Sequence, residues 1–221
     1  KASLEAFQKA IDLDDMDAMY FVGVQYLWAN NTQEKGQIEE EEEDDDIFIG
    51  NRREGLNLIE EAASLGHGGA LHHLALLFRS GDEDLGIVPC DAEQFKVRLD
   101  KAADAGDADA MFLRAHCYFS GEDGYSYDPK MALNGFLEAA EVGHADAAVS
   151  AGAMLHQGGF GGTIERDRRR AFELYQEAAE LGSVEGWRNL VSCYALGQGV
   201  PKCEETAKYI ANTMLKEETT G

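Results

Sequence analysis

Basic residues are scarce in this chain: 19 Lys and Arg stand against 42 Asp and Glu, a formal net charge of −23. Nucleic acid is therefore excluded as a natural partner, because binding it requires neutralising phosphates with Lys and Arg. Anionic membrane surfaces are disfavoured for the same reason. Long apolar runs are missing as well. No stretch approaches the ~20 apolar residues of a membrane span, so no direct membrane insertion is expected. A secretory leader pattern is absent too, but the chain opens on Lys1 rather than Met, which takes most of the weight from that absence.

Only four cysteines occur, Cys90, Cys117, Cys193 and Cys203, and none forms a CxxC pair. Sparse, unframed cysteines suit free thiols in a reducing compartment. An organelle or the lumen of the endoplasmic reticulum stays open, as does a pairing of Cys193 with Cys203, which would sit on adjacent helices. Cys117-Tyr118 and Cys193-Tyr194 occupy equivalent places, which points to buried, small-apolar use of both thiols. No His/Cys spacing suits zinc. The histidines (His67, His72, His73, His116, His144, His156) contain no His-x3-His pair, and the adjacent His72 and His73 point to different sides of a helix. No metal site is expected. Gly158-Gly159-Phe160-Gly161-Gly162 has neither a following Lys-Ser/Thr nor a preceding strand, so it reads as a flexible inter-helix loop, not a phosphate cradle. A Gly-x-Ser-x-Gly elbow and a Ser or Cys nucleophile with a base are also absent. Neither catalytic residues nor a cofactor are expected.

What the chain has is repetition. An apolar fraction of 44% with 9% aromatics is ample for a packed core. Four copies of one phrase run through it: Ala62-Ala63-Ser64-Leu65-Gly66, Ala102-Ala103-Asp104-Ala105-Gly106, Ala139-Ala140-Glu141-Val142-Gly143 and Ala178-Ala179-Glu180-Leu181-Gly182. Their glycines lie 40, 37 and 39 residues apart. A period in that range marks a helical solenoid, whose units bury their apolar faces only by stacking. After each glycine a helix of constant pattern is expected. Ala70, Ala110, Ala147 and Gly186 hold one small-residue place, with Ala18 in the first unit, where Asp14 stands in for the glycine. Ala75, Ala115, Gly152 and Val191 hold the next, with Gly23. Tyr26, Phe78, Tyr118, Leu155 and Tyr194 fill the gap beyond. These positions share one face, where a neighbouring helix crosses closely. Gly81, Gly121, Gly158 and Gly197 are placed to end each helix in a left-handed conformation.

A second helix then starts from Asn51, Asp91, Asp128 or Asp167, whose side chains suit the cap position. Pro129 follows one of them at the first helical position, where its missing N–H costs nothing. Cys203 takes the cap place of the last unit and caps poorly. The spacing thus predicts five first helices and six second helices in a single array over 1–221. A truncated unit's second helix spans 1–13, and units follow at 14–65, 66–105, 106–142, 143–181 and 182–221, with an acidic insertion at 30–49. The half-unit at the start predicts that more array precedes Lys1.

These residues resemble the Sel-1-like repeat family, relatives of the tetratricopeptide repeats. The best match is Gly186, Leu190, Tyr194, Gly197, Gly199 and Val200, preceded by 167–182. The resemblance implies an all-α fold, a right-handed α-solenoid (superhelix) of antiparallel helix pairs. It also implies an adaptor or scaffold role; members serve in degradation of endoplasmic reticulum proteins, in regulation of cell-wall synthesis and as bacterial host-interaction factors. The linkers at 82–90 and 159–166 and the insertion are longer than the family pattern.

Candidate sites follow from charge and geometry. The insertion carries eight consecutive acids, Glu39, Glu40, Glu41, Glu42, Glu43, Asp44, Asp45 and Asp46. Such a run repels itself and reads either as a solvated loop or as an electrostatic tether for a basic partner. Arg166, Arg168, Arg169 and Arg170 form the one basic cluster, either solvated charge or a docking point for an acidic partner. On each first helix the face opposite the core lines the concave groove in tetratricopeptide-like arrays. That face holds Asp17, Tyr20, Val24 and Leu27 in the first unit, then His72, Leu76 and Arg79, then Phe112, His116 and Phe119, then His156, and last Arg188. Aromatics there suit partner binding, since they are enriched at hot spots; cover by loops or neighbouring units is the competing account. The favoured function is a non-enzymatic adaptor holding a basic, extended or helical segment of another protein. The alternative is a structural subunit of a larger complex, and an enzyme ranks last.

Overall fold

The computed structural model describes residues 2–29, 52–82, 85 and 91–214. Among these residues the chain is all-α, with eleven α-helices, a short 3-10 helix at Phe160–Gly162 and no strand beyond isolated bridge residues, Gly159 and Ile164 among them. They are α1 (Ala2–Ile11), α2 (Met16–Ala29), α3 (Arg52–Ser64), α4 (Gly68–Ser80), α5 (Ala92–Asp104), α6 (Ala108–Ser120), α7 (Pro129–Glu141), α8 (Ala145–Gln157), α9 (Arg168–Glu180), α10 (Val184–Leu196) and α11 (Glu204–Thr213). Even-numbered helices are the expected first helices and odd-numbered ones the second. The acidic run Glu39–Asp46, Asn51 and Cys90 lie outside the described residues.

The repeated glycine is a conformational requirement. Gly66, Gly106, Gly143 and Gly182 hold φ between +91 and +96, and a Cβ on any of them would meet open space. Backbone conformation, not crowding, selects glycine there. Asp14, in the glycine's place, holds φ +60, a region that Asp tolerates better than most residues. The next residue caps the following helix. Asp15, His67, Asp107, His144 and Ser183 accept from the amides of Ala18, Ala70, Ala110, Ala147 and Gly186 at 2.7–3.2 Å. At the other end Gly81, Gly121, Gly158 and Gly197 all have positive φ. Gly197 alone is shown in the left-handed helical well, while Gly81 and Gly158 turn to extended ψ. Asp91, Asp128 and Asp167 cap the second helices as expected, and Cys203 makes no side-chain cap bond.

The chain divides into two compact units, Lys1–Ala110 and Met111–Gly221. In the first, α2 crosses α3 with backbone nearly touching backbone. A Cβ on Gly23 would lie 2.9 Å from the Gly55 carbonyl and 2.7 Å from Ile59 Cγ1; one on Gly55 would lie 2.7 Å from the Gly23 carbonyl. Met19, Leu56, Ile59, Ala62, Ala70 and Leu74 form the core around this crossing. Leu27, expected on the open face of α2, is a correction: it is buried in this same cluster. In the second unit an alanine-rich core of Ala132, Ala139, Ala140, Ala147, Ala148 and Ala151 surrounds Phe136 and Leu174. Gly152 faces the Tyr175 ring, where a Cβ would come within 2.7 Å. Small residues allow the helices to approach closely, and each aromatic fills the space this leaves. Among the described residues Cys117, Cys193 and Cys203 are in no disulfide, and the first two are buried.

Candidate functional site

Most groove-side residues of the first helices are engaged within the protein, and three of them share one kind of partner. In α2, α4 and α6 the fifth residue of the helix meets the residue that caps the next first helix. Tyr20 packs on the cap His67, with ring centroids 4.6 Å apart. His72 Nδ1 donates to the cap Asp107, 3.2 Å from its Oδ1. Phe112 stacks on the cap His144, with centroids 4.4 Å apart and planes 19° from parallel. Tyr20 and Phe112 therefore close joints between successive repeats and are half-buried there.

The caps determine their own tautomers. His67 Nδ1 accepts the Ala70 amide at 3.0 Å, so its proton sits on Nε2, which donates to Asp17 Oδ1 at 3.1 Å. His144 Nδ1 likewise accepts from Ala147 at 3.1 Å. Burial would raise the Asp107 carboxyl, but hydrogen bonds from His72 and the Ala110 amide, with the nearby His72 and His67, hold it below the usual carboxylate range. Burial pushes the Tyr20 hydroxyl up, and the carboxylates of Asp107 and Asp109 push it further. His73, whose ring meets the edge of Tyr20 at 6.3 Å, is kept neutral to lower pH by burial and then by His72.

The remaining candidates fall into two groups. Arg79 lies over the Phe95 ring at 5.6 Å, His156 Nε2 sits 2.8 Å from Gln198 Oε1, and Arg188 pairs with Glu185 at 3.1 Å. Leu76 remains 41% exposed, Phe119 remains 37% exposed, and His116 is exposed beside Phe112. The cap histidines were not singled out from the sequence, although a signal was present. The residue after each turn glycine, or its Asp14 substitute, is Asp, His or Ser in all five units, and all five side chains can accept the cap hydrogen bond, three by type and the two histidines through a ring nitrogen. Phe160 was missed for a similar reason, since a glycine-rich stretch hides the residue at its centre.

Among the described residues no group of three or more His, Cys, Asp or Glu is placed to hold a metal ion. No described helix is long and apolar enough to cross a membrane.

The family model of the Sel1 repeat matches residues 46–67, 108–144 and 145–183. The three segments match that repeat, and the chain has an α-solenoid fold like that of solved proteins built from it. Among solved structures it is similar to a protective antigen of uropathogenic Escherichia coli that displays an SLR fold. The TM-score is 0.74 at 19% identity, over 97% of this chain and 41% of that one. It is also similar to a Sel1 repeat protein from Oxalobacter formigenes, with a TM-score of 0.72 at 23% identity, over 97% of this chain and 78% of that one. The chain thus spans less than half of the first protein's length, and at these identities the likeness establishes the fold. A comparison with curated proteins finds no match. Sel1 repeat proteins generally mediate protein–protein interactions, and the family is typically non-catalytic.

Proposed function

We propose that the chain is a non-enzymatic adaptor that holds a segment of another protein against the groove side of its first helices. The reading rests chiefly on Leu76, His116 and Phe119, which stay exposed on that side after the joints are closed. Exposed apolar and aromatic groups flanked by polar ones suit a protein partner. Tyr20, His72 and Phe112 then act by shaping the surface through the joints, with Arg79, His156 and Arg188 as its polar rim. Exposed acids recur at one repeat place, Asp17, Asp109, Asp146 and Glu185. With a net charge of −23 they favour a basic segment.

The test is capture of partners from native extract by the wild-type chain and by a Leu76→Asp/Phe119→Asp variant, with thermal melts alongside. Loss of the same captured proteins at unchanged melting temperature supports the adaptor. Undiminished capture by the variant sinks it. A constant stoichiometry that survives high salt would favour the alternative, a built-in subunit of a larger assembly.

A further inference from the structure

Two local costs coincide in the connection between α8 and α9, within the second unit. Phe160 holds φ +45, a conformation that is unfavourable for a bulky L residue and persists only where surrounding structure enforces it. Here it is enforced. Gly159 and Ile164 bridge antiparallel, the Gly159 amide donating to the Ile164 carbonyl at 2.8 Å. Thr163 Oγ1 donates to the Phe160 carbonyl at 2.8 Å, and Arg166 Nε to the Gln157 carbonyl at 2.9 Å. The loop, which its glycines suggest to be flexible, is thus cross-braced by its own hydrogen bonds. Its effect is to set the Phe160 ring edge-on against Phe119, with centroids 5.9 Å apart.

The second cost is electrostatic. Arg168, Arg169 and Arg170 open α9, where the helix dipole disfavours cations, and Arg166 precedes them; all four are exposed. The acids beside them are few. Arg169 and Arg170 share Glu173 at 3.3 Å, Asp167 is spent on capping Arg170, and Glu165 is the other acid of the stretch. In a chain of net charge −23, this stretch is locally basic and so repels an acidic segment less than its surroundings do.

We infer that the α8–α9 loop is a docking site for an acidic peptide segment of a partner protein that carries one aromatic or aliphatic anchor. The anchor packs on the Phe119–Phe160 pair, and its flanking carboxylates meet the guanidinium groups of Arg166, Arg168, Arg169 and Arg170. Guanidinium forks match carboxylates in geometry as well as charge. The acidic remainder of the surface supplies specificity by repulsion. This site shares Phe119 with the adaptor reading and rests on it nowhere else.

The probe is a short fluorescein-labelled peptide of Asp and Glu with one central Phe, titrated with the full chain at low salt and read by anisotropy. Binding is expected to weaken as salt is raised and to weaken when Gly replaces the central Phe. Arg168→Glu/Arg169→Glu should lower affinity at least tenfold. Phe160→Gly relieves the strained backbone but removes a ring packed on the core, so a thermal melt checks its fold, and affinity should fall about tenfold, or ~1.4 kcal/mol. No binding to the wild-type chain overturns the inference, as does unchanged affinity in both variants. If Arg168→Glu/Arg169→Glu still captures partners through Leu76 and His116 but ignores the peptide and the wild-type chain ignores it equally, this site fails while the adaptor stands.

Discussion

The two compact units solve the same joint with different chemistry. In the first, Tyr20 packs on His67 at a tilt, and His67 passes its Nε2 proton toward Asp17. In the second, Phe112 lies nearly flat on His144 and touches Phe136 at 5.6 Å beneath. The repeat place is identical and the cap histidine does the same backbone work. What changes is whether the outer residue is tied into a polar network or into the apolar core. The repeat therefore prescribes where a joint forms and leaves its chemistry free, so an array of such helix pairs can vary its surface without losing its stack.

The largest expected effect tests the apolar version. Phe136 is 3% exposed and supports Phe112 from below, so Phe136→Ala should cost about 3–5 kcal/mol. Calorimetry should show a strongly lowered transition; a change under ~1 kcal/mol would show that the second unit's core does not rest on this ring.

Helix crossings come next. Gly23 faces backbone, the Gly55 carbonyl, whereas Gly152 faces the Tyr175 ring. Leucine at either position overpacks the contact, at about 1–3 kcal/mol. Gly23→Leu should be the worse of the two, because a carbonyl pinned in a helix yields less than a ring. Urea melts giving the reverse order would undo this account of the crossings.

The joints themselves are a smaller term. His144→Ala loses both cap and stack, while His144→Asn keeps the cap and loses the stack. The first should cost about 1–2 kcal/mol and the second less. Equal costs would mean that the stacking contributes nothing.

The smallest effect distinguishes the polar joint by pH. His73 has a folded pKa below its unfolded value, so the unfolded chain binds the extra proton first and stability falls as pH drops below about 6.5. Asp107 is also depressed; its contribution is present above the ordinary Asp range and is lost as pH falls through the folded value. Both terms therefore make stability rise with pH. His73→Gln should flatten the mildly acidic part of the profile, and Asp107→Asn the more acidic part. Profiles parallel to wild type would show that neither group is linked to folding.

Helix number, order and capping were legible because they depend on residues close in sequence. The glycine after each Ala-Ala pair requires positive φ, Asp91, Asp128 and Asp167 cap their own third or second amide, and the small residues at Gly23 and Gly152 mark the crossings. Periodicity also identified the buried face of each first helix, since Ala18, Ala70, Ala110 and Ala147 are all buried. It went wrong at Leu27, at the end of α2, because burial there comes from the packing of α3 and not from the period of one helix.

The groove side was legible only as a list of positions. Whether Tyr20 or Phe112 meets solvent depends on the rotation between one repeat and the next, and no single helix encodes that angle. The same holds for Phe160, whose ring is aimed by a bridge between Gly159 and Ile164 and by an unfavourable φ. Local sequence thus determined which residues turn, cap and cross, because those interactions close within a few residues. Tertiary structure alone decided which aromatic residues were consumed in joints and which, like Phe119, stayed exposed, because ring-to-ring contact is settled by the geometry of stacked repeats.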